Sequence, residues 1–392
     1  MKIDIKKLLF VLLVSLLLRI YPLLNAVNWT DLYVEQAMPV LKHLNIYSAT
    51  HKVFPYSPVS MFLPALCSLL SKFFKIPFYI MMRMPAIIAD VCIAVTIYVT
   101  LIKLGRKEAY SMGLLYAINP VSILISSFHG NIMPIPVLFS FLAYAVLLWG
   151  VEENYRLSAL LLGIAIGFRG YPILLLPFFL FKLEISLNKR IEYIIYSILP
   201  TTLSFLPFML LDYKSVLREV FAYSGFTDYG LAAIIRAVYS YVKDIRLYDL
   251  SGNLVLLMSE ISKALFFFVY AILLFTQVRK RLITSILSVF LFFYFIYTGM
   301  GSQYFLWILP FCFLVRDKMV KYYMIFVTWA LVNFYWVYHP YIIFGRLGPV
   351  NVPFKGLLAG EIISLSLLWI VCLSWALKLM REGDNELDGD LL

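Results

Sequence analysis

Along the chain, continuous apolar runs of roughly 20 residues alternate with short polar segments, the length at which a helix crosses a bilayer. The runs are unbroken rather than alternating in polarity, which predicts membrane helices and not the strands of a barrel. Membrane segments are predicted at about 8–27, 79–102, 109–127, 132–150, 191–211, 253–277, 282–299, 303–315 (a short helix), 320–340 and 355–379. The stretch 157–183 departs from this pattern. Leu157–Phe168 and Tyr171–Phe181 are each too short for a crossing of about 30 Å, and Gly167-Phe168-Arg169-Gly170 separates them. Two half-helices meeting beside a polar cavity are predicted there, because non-helical backbone at membrane depth is tolerated only away from lipid. The expected fold is an all-α polytopic membrane protein with about twelve transmembrane or half-spanning helices.

Basic clusters between the runs set the expected topology. Lys2/Lys6/Lys7, Lys103/Arg106/Lys107, Arg156, Lys182/Lys189/Arg190, Arg279/Lys280/Arg281, Arg316/Lys318/Lys321 and Lys378/Arg381 all fall at one side if both termini are cytoplasmic. Tyr56–Phe74 would invert Lys103/Arg106/Lys107 if it crossed. Its Pro58, Pro64, Lys72 and Lys75 suit a helix lying in the interface instead. Residues 28–77 are therefore expected to form one long external loop carrying interfacial helices, with further external loops at about 212–252 and 340–354. Residues 1–380 are expected to form a single integral membrane domain, and 381–392 an acidic cytoplasmic tail with no periodicity. The basic, apolar start resembles a signal peptide but lacks a small-residue cleavage site, so an uncleaved first span is expected.

Composition agrees with a lipid-solvated chain: 62% of the 392 residues are hydrophobic and 14% charged, against about 25% charged in soluble domains. The net charge of +11 is dispersed between apolar runs, so it marks topology and not a nucleic-acid partner. Cys67, Cys92, Cys312 and Cys372 have no metal or disulfide spacing and read as small apolar residues. Nucleotide loops and zinc-protease motifs are absent from the sequence, which leaves ATP hydrolysis and zinc proteolysis unsupported.

The candidate chemistry starts just beyond the first span. Asp31 lies where a carboxylate reaches a cavity at the membrane surface and can take a proton from a hydroxyl; Glu35 is an accessory candidate. The same residues also read as the N-cap of an amphipathic helix. Asn28-Trp29-Thr30 is a glycosylation sequon, expected to be unoccupied. Arg169, at the helix break, is unfavourable in a membrane unless paired, and a forked guanidinium suits a phosphate. A structural pair is the competing role. His129 and Asn131 sit at an external tip, as sugar or phosphate contacts or as a plain turn. Gln303 and Tyr304 begin a late segment on that side, lining a pocket or joining an aromatic belt. Arg346, in the third loop, is a second phosphate candidate. Glu260 with Lys263, and Arg19 with Asp90, read as structural pairs, and Gly163 with Gly167 as close helix packing.

Several of these residues recur in an ordered set. Asp31…Ala37, Leu44-Asn45-Ile46-Tyr47 and Pro55-Tyr56-Ser57-Pro58 are followed by Arg83-Met84-Pro85…Asp90, Asn119-Pro120 and His129-Gly130-Asn131. Then come Gly167-Phe168-Arg169-Gly170-Tyr171-Pro172, Tyr223-Ser224-Gly225 with Tyr229-Gly230, and Gln303-Tyr304-Phe305-Leu306-Trp307…Pro310. This succession resembles the GT-C superfamily of polytopic glycosyltransferases, fed by dolichyl- or undecaprenyl-phosphate sugars. The resemblance implies a hexosyltransferase, mannosyltransferase-like, moving sugar from a polyprenyl-phosphate donor to a glycan or glycolipid acceptor on the extracytoplasmic face, with inversion. It implies Asp31 as base and Arg169, His129, Asn131, Tyr171, Gln303 and Tyr304 around the donor, with Arg346 a candidate from its loop position alone. It also implies residence in the plasma membrane of a prokaryote or the endoplasmic reticulum of a eukaryote. The chain departs from many relatives at Met133, where they carry an acidic residue. Without that carboxylate a divalent cation loses a ligand, so metal-independent transfer, with no cofactor, is expected. A secondary transporter or lipid flippase is the rival reading, since about twelve segments and a broken helix suit that class too.

Overall fold

The computed structural model describes residues 3–25, 38–42, 45–49, 56–221, 229–243, 252–277, 280–338 and 354–381. Among these residues the regular structure is helical, and the one strand-like feature is an isolated antiparallel bridge between Tyr229 and Met300. Six helices are long and apolar enough to cross a membrane: Ile5–Leu24, Phe78–Lys103, Ala109–Phe128, Leu187–Val220, Leu257–Thr276 and Lys355–Arg381. Val59–Phe74, Pro134–Leu148, Tyr171–Lys182 and Leu282–Ile296 are apolar but shorter. The protein is an all-α membrane protein. The chain divides into two compact units.

The first unit comprises Met1–Leu24, Asn28–Ile118 and His129–Tyr223. Its Phe78–Lys103 helix packs against Val59–Phe74, Ala109–Ala117 and Pro134–Leu148. Pro134–Leu148 packs in turn on Val151–Phe168, which packs on Leu187–Phe221. Arg19 and Asp90, both fully buried, pair at 2.7 Å. Tyr116 donates to the other Asp90 oxygen at 2.6 Å. Arg19 Nη1 donates to the Ser15 carbonyl at 2.8 Å, the Ser15 hydroxyl at 2.9 Å and the Ala117 carbonyl at 2.9 Å. Lipid cannot solvate a bare charge, so the pair and its hydrogen bonds are what permit both ions to stay there. Lys103 Nζ lies 4.2 Å from the centre of the Trp149 ring, which brings the ends of two helices to one level.

Val59–Phe74 is 16 residues long, about 24 Å at 1.5 Å per residue. It ends at Lys75, whose φ of 58° is left-handed. The expected span at 109–127 is interrupted. The helix Ala109–Ala117 stops, and Asn119 then caps a new turn at Pro120–Ile123 by accepting from Val121 N at 2.9 Å. Proline fixes the restart, since it has no N–H to lose at the first helical position. Leu187–Phe221 runs on past the expected boundary at 211, with a non-helical residue at Asp212.

The second unit comprises Asn25–Val27, Asn119–Phe128 and Ser224–Leu392. Phe354–Arg381 packs against Gly230–Lys243, Leu282–Ile296 and Lys318–Tyr338. Its C-terminal part is pinned by Asp317, which accepts from Trp375 Nε1 at 2.9 Å and from Lys378 at 3.1 Å. Glu260 and Lys263 pair at 2.8 Å, as their spacing predicts. The segment 303–315 does not form the continuous helix expected of it. It is a 3-10 turn at Ser302–Leu306 and a single helical turn at Leu309–Cys312. Phe305 through Phe313 are all buried. The run is apolar because it fills the core of its unit, not because it faces lipid. Position 315 is Val, beyond the last turn.

Candidate functional site

The break predicted within 157–183 is present in the first unit. Val151–Phe168 ends at Arg169, whose backbone turns extended (φ −150°, ψ 138°) while its N–H still bonds the Ala165 carbonyl at 3.0 Å. A 3-10 turn at Tyr171–Leu175, opened by Pro172, then leads into Leu176–Lys182. Gly170 between them is exposed.

The Arg169 guanidinium lies over the Tyr56 ring, its central carbon 3.6 Å from the ring centre. Among the described residues, its buried Nη1 has no hydrogen-bond partner. A guanidinium nitrogen left dry in this way is unfavourable unless an acceptor arrives. The hydroxyl of Tyr171, two residues on, is buried. The neighbouring first-loop segment is tied to the break. Ser57 Oγ donates to the Gly167 carbonyl, and the Tyr47 hydroxyl donates to the Tyr56 carbonyl at 2.8 Å. Chemically, this is a cation on an aromatic face at a break in a helix.

Of Gly163 and Gly167, only Gly163 marks close packing. A β-carbon there would stand 2.8 Å from the carbonyl oxygens of Tyr196 and Ser197, whereas at Gly167 its nearest neighbours are at 3.6 Å. His129 is half-buried at the start of a turn. Asn131 accepts from Met133 N at 2.9 Å, so its side-chain oxygen closes that turn. Gly130 holds φ +71° with fully buried Arg83 against it; a β-carbon would meet Arg83 Nε at 2.6 Å. Arg83 was read as part of a motif and not as a site residue, yet it supports the His129-Gly130-Asn131 turn from below. Met133 is buried.

Gln303 and Tyr304 belong to the second unit. Gln303 folds back on Gly301 and accepts from Ser302 Oγ at 3.4 Å. Tyr304 stacks on Trp307, ring centres 4.5 Å apart, and its carbonyl accepts from the Tyr294 hydroxyl at 2.6 Å. Asp31, Glu35 and Arg346 lie outside the described residues. Among those described, no three His, Cys, Asp or Glu side chains gather as a metal site. Tyr56 and Ser57 are the site residues that sequence reasoning did not single out. The signal for them was the Pro55-Tyr56-Ser57-Pro58 motif, whose second proline restricts Ser57. Compared with models of protein families the chain matches none, and it matches none of the curated proteins.

Proposed function

We propose that this protein is a membrane glycosyltransferase of the GT-C type, with about twelve membrane segments and both termini cytoplasmic. It transfers a hexose, mannose by the family resemblance, from a polyprenyl-phosphate donor to a glycan or glycolipid acceptor on the extracytoplasmic face. The observation that carries the reading is Arg169, a cation at a helix break with a buried Nη1 that has no protein partner among the described residues.

In this reaction the acceptor hydroxyl attacks the anomeric carbon of the sugar. The bond from that carbon to the phosphate oxygen breaks, and the configuration inverts. Asp31 takes the acceptor's proton, as a carboxylate within hydrogen-bond reach can. The departing lipid phosphate gains negative charge, and Arg169 stabilises that charge as it develops. No step requires a metal, in keeping with Met133 in place of a carboxylate ligand.

The test is a reconstitution in liposomes with a labelled polyprenyl-phosphate mannose and a panel of glycolipid acceptors. Release of polyprenyl phosphate matched by labelled acceptor, unaffected by EDTA, is the expected result. Loss of activity in EDTA with recovery on adding magnesium or manganese overturns metal independence. Movement of the intact donor across the bilayer without cleavage overturns the transferase reading in favour of a flippase.

A further inference from the structure

Resting on the assignment of Arg169 to a lipid phosphate, we propose that Tyr56 is its positioning residue: the ring fixes the guanidinium plane so that its in-plane N–H donors face the incoming phosphate. At 3.6 Å from the ring centre, the guanidinium carbon is at van der Waals distance, which a planar group reaches face to face. Face-to-face stacking uses the guanidinium's π-surface and leaves its forked N–H donors for an oxyanion. Of those donors, Nη1 is buried and without a partner among the described residues.

The ring is held in turn. Tyr56 packs against the buried cluster of Ile46, Tyr47, Met61 and Val216, and the Tyr47 hydroxyl bonds its carbonyl. Its neighbour Ser57 is bonded to Gly167, two residues before the arginine. The ring and the arginine are thus attached to each other through two routes, one aromatic and one through backbone. A cation over an aromatic ring gains more when water is excluded, and a side chain already ordered loses less freedom when its ligand arrives. Arginine is otherwise a long side chain with many rotamers at a point where the helix has ended. The aromatic face supplies the order that the missing helical turn does not.

The full chain in nanodiscs is titrated with farnesyl phosphate, and with farnesol as the uncharged control. Farnesyl phosphate should bind more tightly than farnesol, and Arg169→Ala should remove that difference. Tyr56→Phe should keep the affinity within about twofold, because the ring stays. Tyr56→Leu and Tyr56→Met should weaken farnesyl phosphate about tenfold while leaving farnesol unchanged. In the Arg169→Ala background, Tyr56→Leu should do nothing further, since a positioning residue acts only through its partner. If Arg169→Ala leaves farnesyl phosphate binding intact, the phosphate assignment itself falls, and the positioning role with it. If Arg169→Ala weakens binding but Tyr56→Leu does not, or the two losses add, the positioning role falls and the phosphate assignment stands. Misfolding of both Tyr56→Leu and Tyr56→Met, with Tyr56→Phe folded, would assign the ring to packing and overturn the proposal.

Discussion

Gly163 lies so close to Tyr196 that a β-carbon on the glycine would stand 2.8 Å from the tyrosine's carbonyl oxygen. Pro200, four residues on in that helix, cannot donate the hydrogen bond that this carbonyl would ordinarily accept. The glycine's lack of a β-carbon lets the two helices come this close at the carbonyl next to the proline.

Gly163→Ala should therefore destabilise the protein by about 1–3 kcal/mol, the range for overpacking, less whatever alanine's better helix propensity returns. Gly170→Ala should change stability by less than about 0.5 kcal/mol, because nothing lies within 4 Å of its β-carbon position and its φ is −67°. Thermal unfolding in detergent measures both. Equal effects at the two glycines would show that the helix contact is not the cause.

The buried Arg19–Asp90 pair gives a second prediction. Arg19→Met leaves the buried Asp90 carboxylate without its cationic partner, and should cost about 3–5 kcal/mol. Arg19→Met combined with Asp90→Leu should recover most of that, since two apolar residues of similar volume restore neutrality. Unfolding temperatures of the two single variants and the double variant form the cycle. Losses that simply add would mean the two residues are not coupled.

Asp31 and Arg169 should fail differently. Asp31→Asn should lower turnover roughly 10²–10⁴-fold, the span for loss of a general base, with donor affinity retained. Arg169→Ala should lower both affinity and turnover, because the phosphate is held before and during bond cleavage. Arg169→Lys should restore only part, as a single ammonium lacks the fork. Steady-state kinetics with the labelled donor separate these cases; normal turnover in Asp31→Asn removes the aspartate from the mechanism.

The topology makes a prediction at Lys107, which is exposed. A cysteine at that position, in a variant lacking the native cysteines, should react with a membrane-impermeant maleimide only when the cytoplasmic side is open. Reaction in intact cells would invert the arrangement of the basic clusters.

Much of this architecture was legible in the sequence because lipid imposes so few options: an apolar run of crossing length has to be a helix. The Arg19–Asp90 pair, the Glu260–Lys263 pair and the interruption around Arg169 could be read for the same reason, since charges and glycines stand out in an apolar background. The segment 303–315 could not. Core and lipid select the same side chains, so apolar composition does not distinguish a residue that faces Trp307 from one that faces an acyl chain. Tyr56 stands in a motif, but its role is not legible there for a related reason. A tyrosine near a membrane surface has many ordinary uses, and only a structure reveals that its ring lies under Arg169. The role of Asn131 was left open between ligand and turn, and its bond to Met133 N accounts for its side-chain oxygen through the turn.

The Arg19–Asp90 bond also has a consequence for biogenesis. The two residues are 71 apart in the chain, and the Ala117 carbonyl that completes the arginine's shell is 98 away. Arg19 therefore leaves the ribosome well before the aspartate that pairs with it. At about 5–20 residues per second, several seconds pass in which its helix lacks that aspartate. During that interval the helix is poorly suited to release into lipid. It is best kept beside the insertion machinery until the Asp90 helix emerges, so that the two enter the bilayer as a neutral pair. The ion pair that stabilises the finished protein thus also sets the order in which its helices become membrane-soluble.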